Sequence, residues 1–164
     1  VATLYLTDGR PFQVDDADEA RVAAYRWYAG GSRHRYAARS AYSQGQKTTL
    51  YLHRWLLEAG PGEQVDHIDG NTLDNRRANL RLCTRKENSR NHPGRPNQRR
   101  SRYKGVEYRT DGVRRRPWYA GARVDGRIVC FGFYLTEEEA ALAYNAGVSR
   151  LYGEFAWLNV VMES

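Results

Sequence analysis

Residues Gln64 to Asn91 read Q-V-D-H-I-D-G-N-T-L-D-N-R-R-A-N-L-R-L-C-T-R-K-E-N-S-R-N. Val65 to Ile68 is strand-like, Asp69-Gly70-Asn71 is a turn, and Asn79 to Cys83 is a second strand. Thr84 with Glu87 three residues on is a capping box that opens a helix running to about Asn91. The expected order is therefore strand, loop, strand, helix. The segment is also dense in carboxylates and amides around one histidine. A turn accounts for Asp69, Gly70 and Asn71, but it requires neither His67 nor a helical Asn88. An EF-hand is excluded by register: with Gly70 at loop position six, Val65 falls at position one and Arg76 at position twelve.

Phosphodiester hydrolysis needs a base that works near neutral pH and a hard cation to neutralise charge on the phosphate and the leaving oxygen. His67 can supply the base. Asp66 beside it and Asn88 in the following helix supply two oxygen ligands, which suit magnesium, or manganese, better than zinc. On an ideal strand Asp66 and His67 face opposite sides. The backbone must therefore twist there, or the two side chains must act from either side of one edge.

Outward from this segment, the N-terminal part is expected to be β-rich. Residues 3 to 14 form two short strands around Thr7-Asp8-Gly9-Arg10-Pro11. Asp15 to Trp27 is an amphipathic helix with acids in its first turn and Ala20, Ala23, Ala24 and Trp27 on its apolar face. Tyr36 to Arg39 and Thr48 to Leu52 pair around a polar turn, and Leu52 to Glu58 continues as a short helix carrying His53 and Trp55. Residues 93–102, with two prolines, a glycine and four arginines in and around them, form a basic linker suited to phosphate. Three strands follow, at Gly105 to Arg109, Trp118 to Val124 and Arg127 to Tyr134, with turns at Asp111-Gly112 and Asp125-Gly126. A last helix is capped by Thr136 and Glu139, presents Ala140, Ala141, Tyr144, Val148 and Leu151, and stops at Gly153.

Among the 164 residues the net charge is +7, which calls for a polyanionic partner, nucleic acid or an acidic membrane surface. Residues 91–127 hold eleven Lys/Arg against three acids, whereas residues 128–164 hold one against five, so the positive field belongs to one stretch. No apolar run approaches the roughly 18 residues that span a bilayer, and no signal-peptide pattern opens the chain, so a cytoplasmic protein that is not secreted is expected. Cys83 and Cys130 form no C-x-x-C pair. No structural zinc or disulfide framework is expected, and both thiols are read as small buried residues.

The segment resembles the HNH endonucleases, particularly phage and homing types, through Asp66-His67, Asp69-Gly70-Asn71, Asn75, Asn79-Leu80 and Glu87-Asn88. The resemblance implies a ββα-metal fold over residues 1–92 with its β-rich extension. His67 would be the general base, Asp66 and Asn88 the metal ligands, and Asn79 the residue that orients the His67 loop. His92, one helical turn beyond Asn88, would be a third ligand as in members with two histidines on that helix. His53 matches a histidine that commonly precedes the motif, with a role in supporting the site or touching phosphate. Products with 5′-phosphate and 3′-hydroxyl ends are implied.

Residues 103–164 are read as a separate domain that resembles, from Tyr103 to Asn159, the AP2 DNA-binding domain through Tyr103-Lys104-Gly105-Val106, Trp118 to Arg123, Phe131 to Tyr134, Glu138 to Tyr144 and Leu158-Asn159. This implies a three-stranded antiparallel sheet laid into the DNA major groove and backed by one helix. Arg109, Trp118 and Arg123 correspond to its DNA-facing positions, while Arg114, Arg115, Arg116 and Arg127 lie in or beside turns as phosphate contacts or a solvated basic face. Glu107 and Cys130 depart from the residues the plant domains carry, so the target sequence is not inherited. The expected protein is an α+β, metal-dependent nuclease acting on double-stranded DNA as a monomer or homodimer. The alternative is a catalytically inactive, sequence-specific DNA-binding regulator.

Overall fold

A computed structural model of the chain describes residues 1–43, 45–92, 101–109 and 115–162, with the side chains of His34 and Ser43 left out. Residues 93–100 of the expected linker, the Asp111-Gly112 turn and Arg114 lie outside the described residues. The chain forms two compact units, Val1–Asn88 and Ser89–Ser164. Among the described residues it is mixed in class, with several small antiparallel sheets and four helices.

In the first unit, β1 (Ala2–Tyr5) and β2 (Pro11–Val14) form the expected hairpin. Strands β3 (Tyr28–Gly30), β4 (Tyr36–Ser43) and β5 (Gln46–Tyr51) make a three-stranded meander with β5 at its edge. Between them lies α1 (Asp16–Ala23), shorter than the sequence suggests and turned to a different face. Its buried residues are Asp18 and Val22; Ala20, Ala23 and Ala24 are exposed. The reason is an ion pair invisible to periodicity. Arg77, 59 positions away, donates to both Asp18 oxygens at 2.9 and 3.1 Å and draws that face inward. Trp27 lies beyond the helix but is buried, its indole N–H donating to Val22 O at 2.9 Å. Helix α2 (Leu52–Leu56) follows β5 directly. Its Leu52 and Leu56 join Phe12, Val14 and Val22 in the core. Burial of each such side chain stabilises by roughly 1.5–3 kcal/mol.

Strands β6 (Gln64–His67) and β7 (Leu80–Cys83) pair antiparallel, with Asp66 opposite Arg81 and His67 opposite Leu80. Their connection is tied to β2: Gln13 N donates to Leu73 O and Asn75 N to Gln13 O. Helix α3 (Arg85–Arg90) begins as expected, with Thr84 N on Glu87 Oε2 at 2.8 Å and Glu87 N on Thr84 Oγ1 at 3.2 Å. It ends at Arg90, not at Asn91. The helical phase that places His92 over Asn88 therefore does not extend to His92.

In the second unit, β8 (Val106–Tyr108), β9 (Trp118–Val124) and β10 (Arg127–Tyr134) form an antiparallel sheet with β9 in the centre. Helix α4 (Glu137–Tyr152) covers one face, burying Ala140, Ala141, Tyr144 and Val148 on Val106 and Ala120. The Thr136–Glu139 capping box is present and Gly153 is the C-cap. Leu151, expected on the apolar face, is exposed. Gly105 permits the helix to approach: its φ is +74°, and a Cβ there would stand 2.0 Å from the Tyr144 ring. Asn159 closes the unit by accepting from Lys104 N at 2.8 Å and donating to Lys104 O at 3.0 Å.

Candidate active site and nucleic-acid face

Asp66 and His67 are both buried, at 5 % exposure each, because both faces of β6 are covered. Asp66 shares a face with its cross-strand partner Arg81. The guanidinium places Nη2 at 2.7 Å and Nε at 3.0 Å from the same carboxylate oxygen, Oδ2. Gln64, two residues earlier, has the same parity as Asp66 and accepts from Asn88 Nδ2 at 2.8 Å. That bond leaves the Asn88 amide oxygen as its acceptor end. His67 belongs to the opposite parity and meets an aromatic group from the N-terminal part: its ring centroid is 5.1 Å from His53 and 6.1 Å from Tyr36.

A cleft of about 260 Å³ is bordered by Tyr36, Tyr51 and His53 together with Gln64 and Asn88. Gln64 and Val65, of opposite parity on β6, both border this cleft, and Asp66 and His67 follow them along the strand. The His67 ring packs on those of Tyr36 and His53, which border the cleft. Burial lowers the His67 pKa below 6.5, while Asn75 and the carboxylates Asp66, Asp69 and Asp74 act to raise it. His53 is pushed down to about 3 by burial, with His67 and Arg54 adding to the effect. Both rings are therefore neutral at neutral pH.

Asn79 staples the loop between the strands. Its Oδ1 accepts from Asp69 N at 3.1 Å, and its Nδ2 donates to Asp69 Oδ1 and Asp74 O, both at 2.9 Å. Asn75 is fully buried in the same loop. Arg81, Tyr36 and Tyr51 carry this arrangement without having stood out in the sequence. Arg81 requires the β6–β7 register across a twelve-residue connection, and the tyrosines require the packing of β4 and β5.

In the second unit the face of the sheet opposite α4 carries Glu107, Arg109, Tyr119, Gly121 and Arg123, by register and alternation. The Arg109 guanidinium stacks 3.8 Å from the centroid of Tyr119, and its Nε lies 3.7 Å from Glu107. Tyr119 lies along the strand over Gly121, where a Cβ would stand 2.0 Å from its hydroxyl. Arg123 is exposed. Trp118 is on the other side: it packs against the core under α4 and edge-on to Tyr108, with centroids 5.0 Å apart. Its expected place on the DNA side is corrected by this register. Arg127, opposite Val124, also has the parity of the helix side. Arg115 and Arg116 are exposed just before β9. Cys130 is exposed and Cys83 partly buried, so the expectation of two buried thiols holds for neither in full.

The profile of the HNH endonuclease family matches residues 50–90, which span α2, the β6–β7 hairpin and α3. An uncharacterized HNH endonuclease of Acanthamoeba polyphaga mimivirus is 34 % identical over 146 residues, covering 85 % of this chain and 70 % of that protein. No solved structure matches the chain. The chain belongs to the HNH endonuclease family. It is a nuclease, a hydrolase of phosphodiester bonds acting on DNA, in a family that generally uses a divalent metal. No helix among the described residues is long and apolar enough to cross a membrane.

Proposed function

We propose that this chain hydrolyses duplex DNA at the β6 cleft, with His67 as general base and a divalent cation, magnesium before manganese, on Asp66 and Asn88. The observation that carries the reading is the convergence on β6 of a neutral, carboxylate-flanked histidine, a buried aspartate held by Arg81, and an asparagine whose amide oxygen is its acceptor end.

The donor chemistry fits such an ion. One carboxylate and one amide oxygen are hard ligands, and among the described residues no three His, Cys, Asp or Glu side chains form a metal group. A set this small suits an ion that keeps most of its water. When bound, the cation would neutralise charge on the phosphate and the leaving oxygen. Arg81 fixes Asp66 through Oδ2, and Asn79 holds the loop that follows His67. His67, neutral through burial, accepts the proton of the attacking water, and its neighbouring carboxylates favour the imidazolium that results. His53 borders the cleft but is too weak a base at a pKa of about 3; its part is to pack against His67 and wall the cleft. His92 is left out of the ligand set.

The second unit is proposed to be an AP2-like DNA-binding domain. Support comes from its three antiparallel strands, the single helix behind them, and Arg109 and Arg123 on the face opposite α4. Arg115 and Arg116, exposed just before β9, are assigned to phosphates, and 5′-phosphate with 3′-hydroxyl ends are the expected products.

The test incubates supercoiled plasmid with the protein in magnesium or in EDTA, alongside Asn88→Ala. Cleavage confined to wild type with metal is the expected result. Equal cleavage in EDTA sinks the metal assignment. Separately, Arg123→Ala should flatten the salt dependence of duplex binding by about 0.9 in logarithmic slope, one phosphate's worth. An unchanged slope removes Arg123 from the interface.

A further inference from the structure

A second cavity of the first unit, about 620 Å³, shares Tyr51 and Arg54 with the β6 cleft and continues past them to Arg21, Thr48, Thr49 and Trp55. Its size falls within the roughly 300–1,000 Å³ typical of ligand sites. Trp55 is its aromatic wall. The Arg21 guanidinium lies 4.5 Å from the Trp55 ring centroid and that of Arg39 lies 5.8 Å from it.

Arg39 is unusual in its own right. Its guanidinium stacks 4.0 Å from the Tyr25 ring and 5.8 Å from Trp27, in a half-buried position on β4. Its Nε is buried without a hydrogen-bond partner among the described residues. A guanidinium N–H withdrawn from water without an acceptor is costly, and the natural acceptor for a cationic fork is an anionic oxygen. Among the described residues, Arg54 donates to the backbone carbonyls of Ala59, Gly60 and Glu63 and stands on the shared wall with no carboxylate hydrogen-bonded to it. Among the described lining residues Glu58 is the one acid, and Arg21 also lies with its Nε 3.3 Å from Asp18. Guanidinium groups interleaved with aromatic faces are the combination that holds a nucleic-acid strand irrespective of sequence: phosphate on the cations, base or sugar on the rings. The Thr49 hydroxyl, on the exposed edge strand β5, adds a neutral donor, whereas that of Thr48 donates to Ala41 O at 3.3 Å.

We propose that this cavity is a strand-seating subsite. One nucleotide of the DNA strand flanking the β6 cleft lies in it, with its phosphate on Arg21 and its base or sugar against Trp55 and Tyr51, while Arg39, near Trp55 but outside the lining, adds positive charge. The inference rests on the reading of the β6 cleft as the place where the strand is cut.

Two measurements on the full chain in EDTA test it. In the first, a short single strand substituted with 5-iododeoxyuridine is irradiated in complex, and the crosslinked peptides are mapped by mass spectrometry. Peptides containing Tyr51 or Trp55 are expected; crosslinks confined to residues 101–162 overturn the proposal. In the second, binding of the same strand is followed against salt for Arg21→Gln/Arg39→Gln and for Arg21→Lys/Arg39→Lys. The glutamine pair should lower the logarithmic salt slope by about 0.7, the value of one phosphate contact on a single strand, and the lysine pair should preserve it. Equal slopes in wild type and the glutamine pair overturn the proposal. Should the glutamine pair fail to fold, the crosslink map and the lysine pair still decide. Crosslinks at Trp55 with cleavage indifferent to EDTA leave the subsite standing and remove the metal reading. Crosslinks only in the second unit, with cleavage abolished by EDTA, do the reverse.

Discussion

Replacing Arg81 with methionine probes the strut that holds the proposed ligand Asp66. Methionine keeps much of the stem's bulk and removes the guanidinium, and with it the two contacts to Asp66 Oδ2 at 2.7 and 3.0 Å. The two side chains are 10 and 6 % exposed, so water screens the pair little, and the value of roughly 0–1 kcal/mol for surface ion pairs does not apply. The relevant quantity is the cost of leaving a buried carboxylate without its counter-ion, about 3–5 kcal/mol. That is a large share of the stability of an ordinary domain, about 5–15 kcal/mol. Adding Asp66→Asn removes the charge that needed compensation. The double variant should therefore regain most of the loss and lie within about 2 kcal/mol of the native chain. Urea unfolding followed by tryptophan fluorescence and far-UV circular dichroism measures both. A single variant less than about 1 kcal/mol below wild type, or a double variant showing the sum of the two separate losses, would falsify the buried-strut account.

Three further outcomes follow from the packing. Because His53 is pushed down to about 3 and His67 is also lowered, the unfolded chain takes up their protons first. Stability should be fully present above about pH 6.5 and fall as the pH drops, by up to about 1.4 kcal/mol per pH unit for each histidine. For His53 the loss continues towards pH 3. His53→Phe should make the urea midpoint less steep between about pH 4 and 6, and an unaltered profile would place His53 in solvent. Gly105→Ala must accommodate a φ of +74° and a Cβ 2.0 Å from the Tyr144 ring, so thermal unfolding of the second unit should lose at least about 2 kcal/mol. A melting curve that overlays wild type contradicts the close approach of Gly105 to α4. Burial, with Asp66 nearby, pushes the Cys83 thiol up to about 11, whereas Cys130 is exposed. A thiol reagent near pH 8 should label Cys130 well before Cys83, with peptide mapping as the check; the opposite order refutes the assigned exposures.

Where the determinants are local, the sequence could be read closely. Both capping boxes, the Gly70 turn and the β6–β7 hairpin follow from residues a few positions apart, and the candidate base and ligands sit on these elements. What could not be read depends on distant partners. The α1 face is set by Arg77 reaching Asp18 from the loop before β7, which overrides an alanine stripe of little hydrophobic value. The wall against His67 comes from Tyr36 and His53, whose approach is a matter of how β4 and α2 pack. Trp118 was placed on the wrong side because a tryptophan in a basic strand fits either face of a sheet, and only the register with Tyr108 and the core under α4 decides. The register of His92 relative to Asn88 turns on a detail of one residue, the point at which α3 stops.

The most direct test of the central claim is single-turnover DNA cleavage by His67→Ala in magnesium, with DNA affinity measured in parallel. The account predicts a cleavage rate lower by about 10²–10⁴, the usual contribution of a general base, with affinity unchanged. Cleavage by His67→Ala within a factor of a few of wild type, at equal affinity, would show that the proton is taken elsewhere.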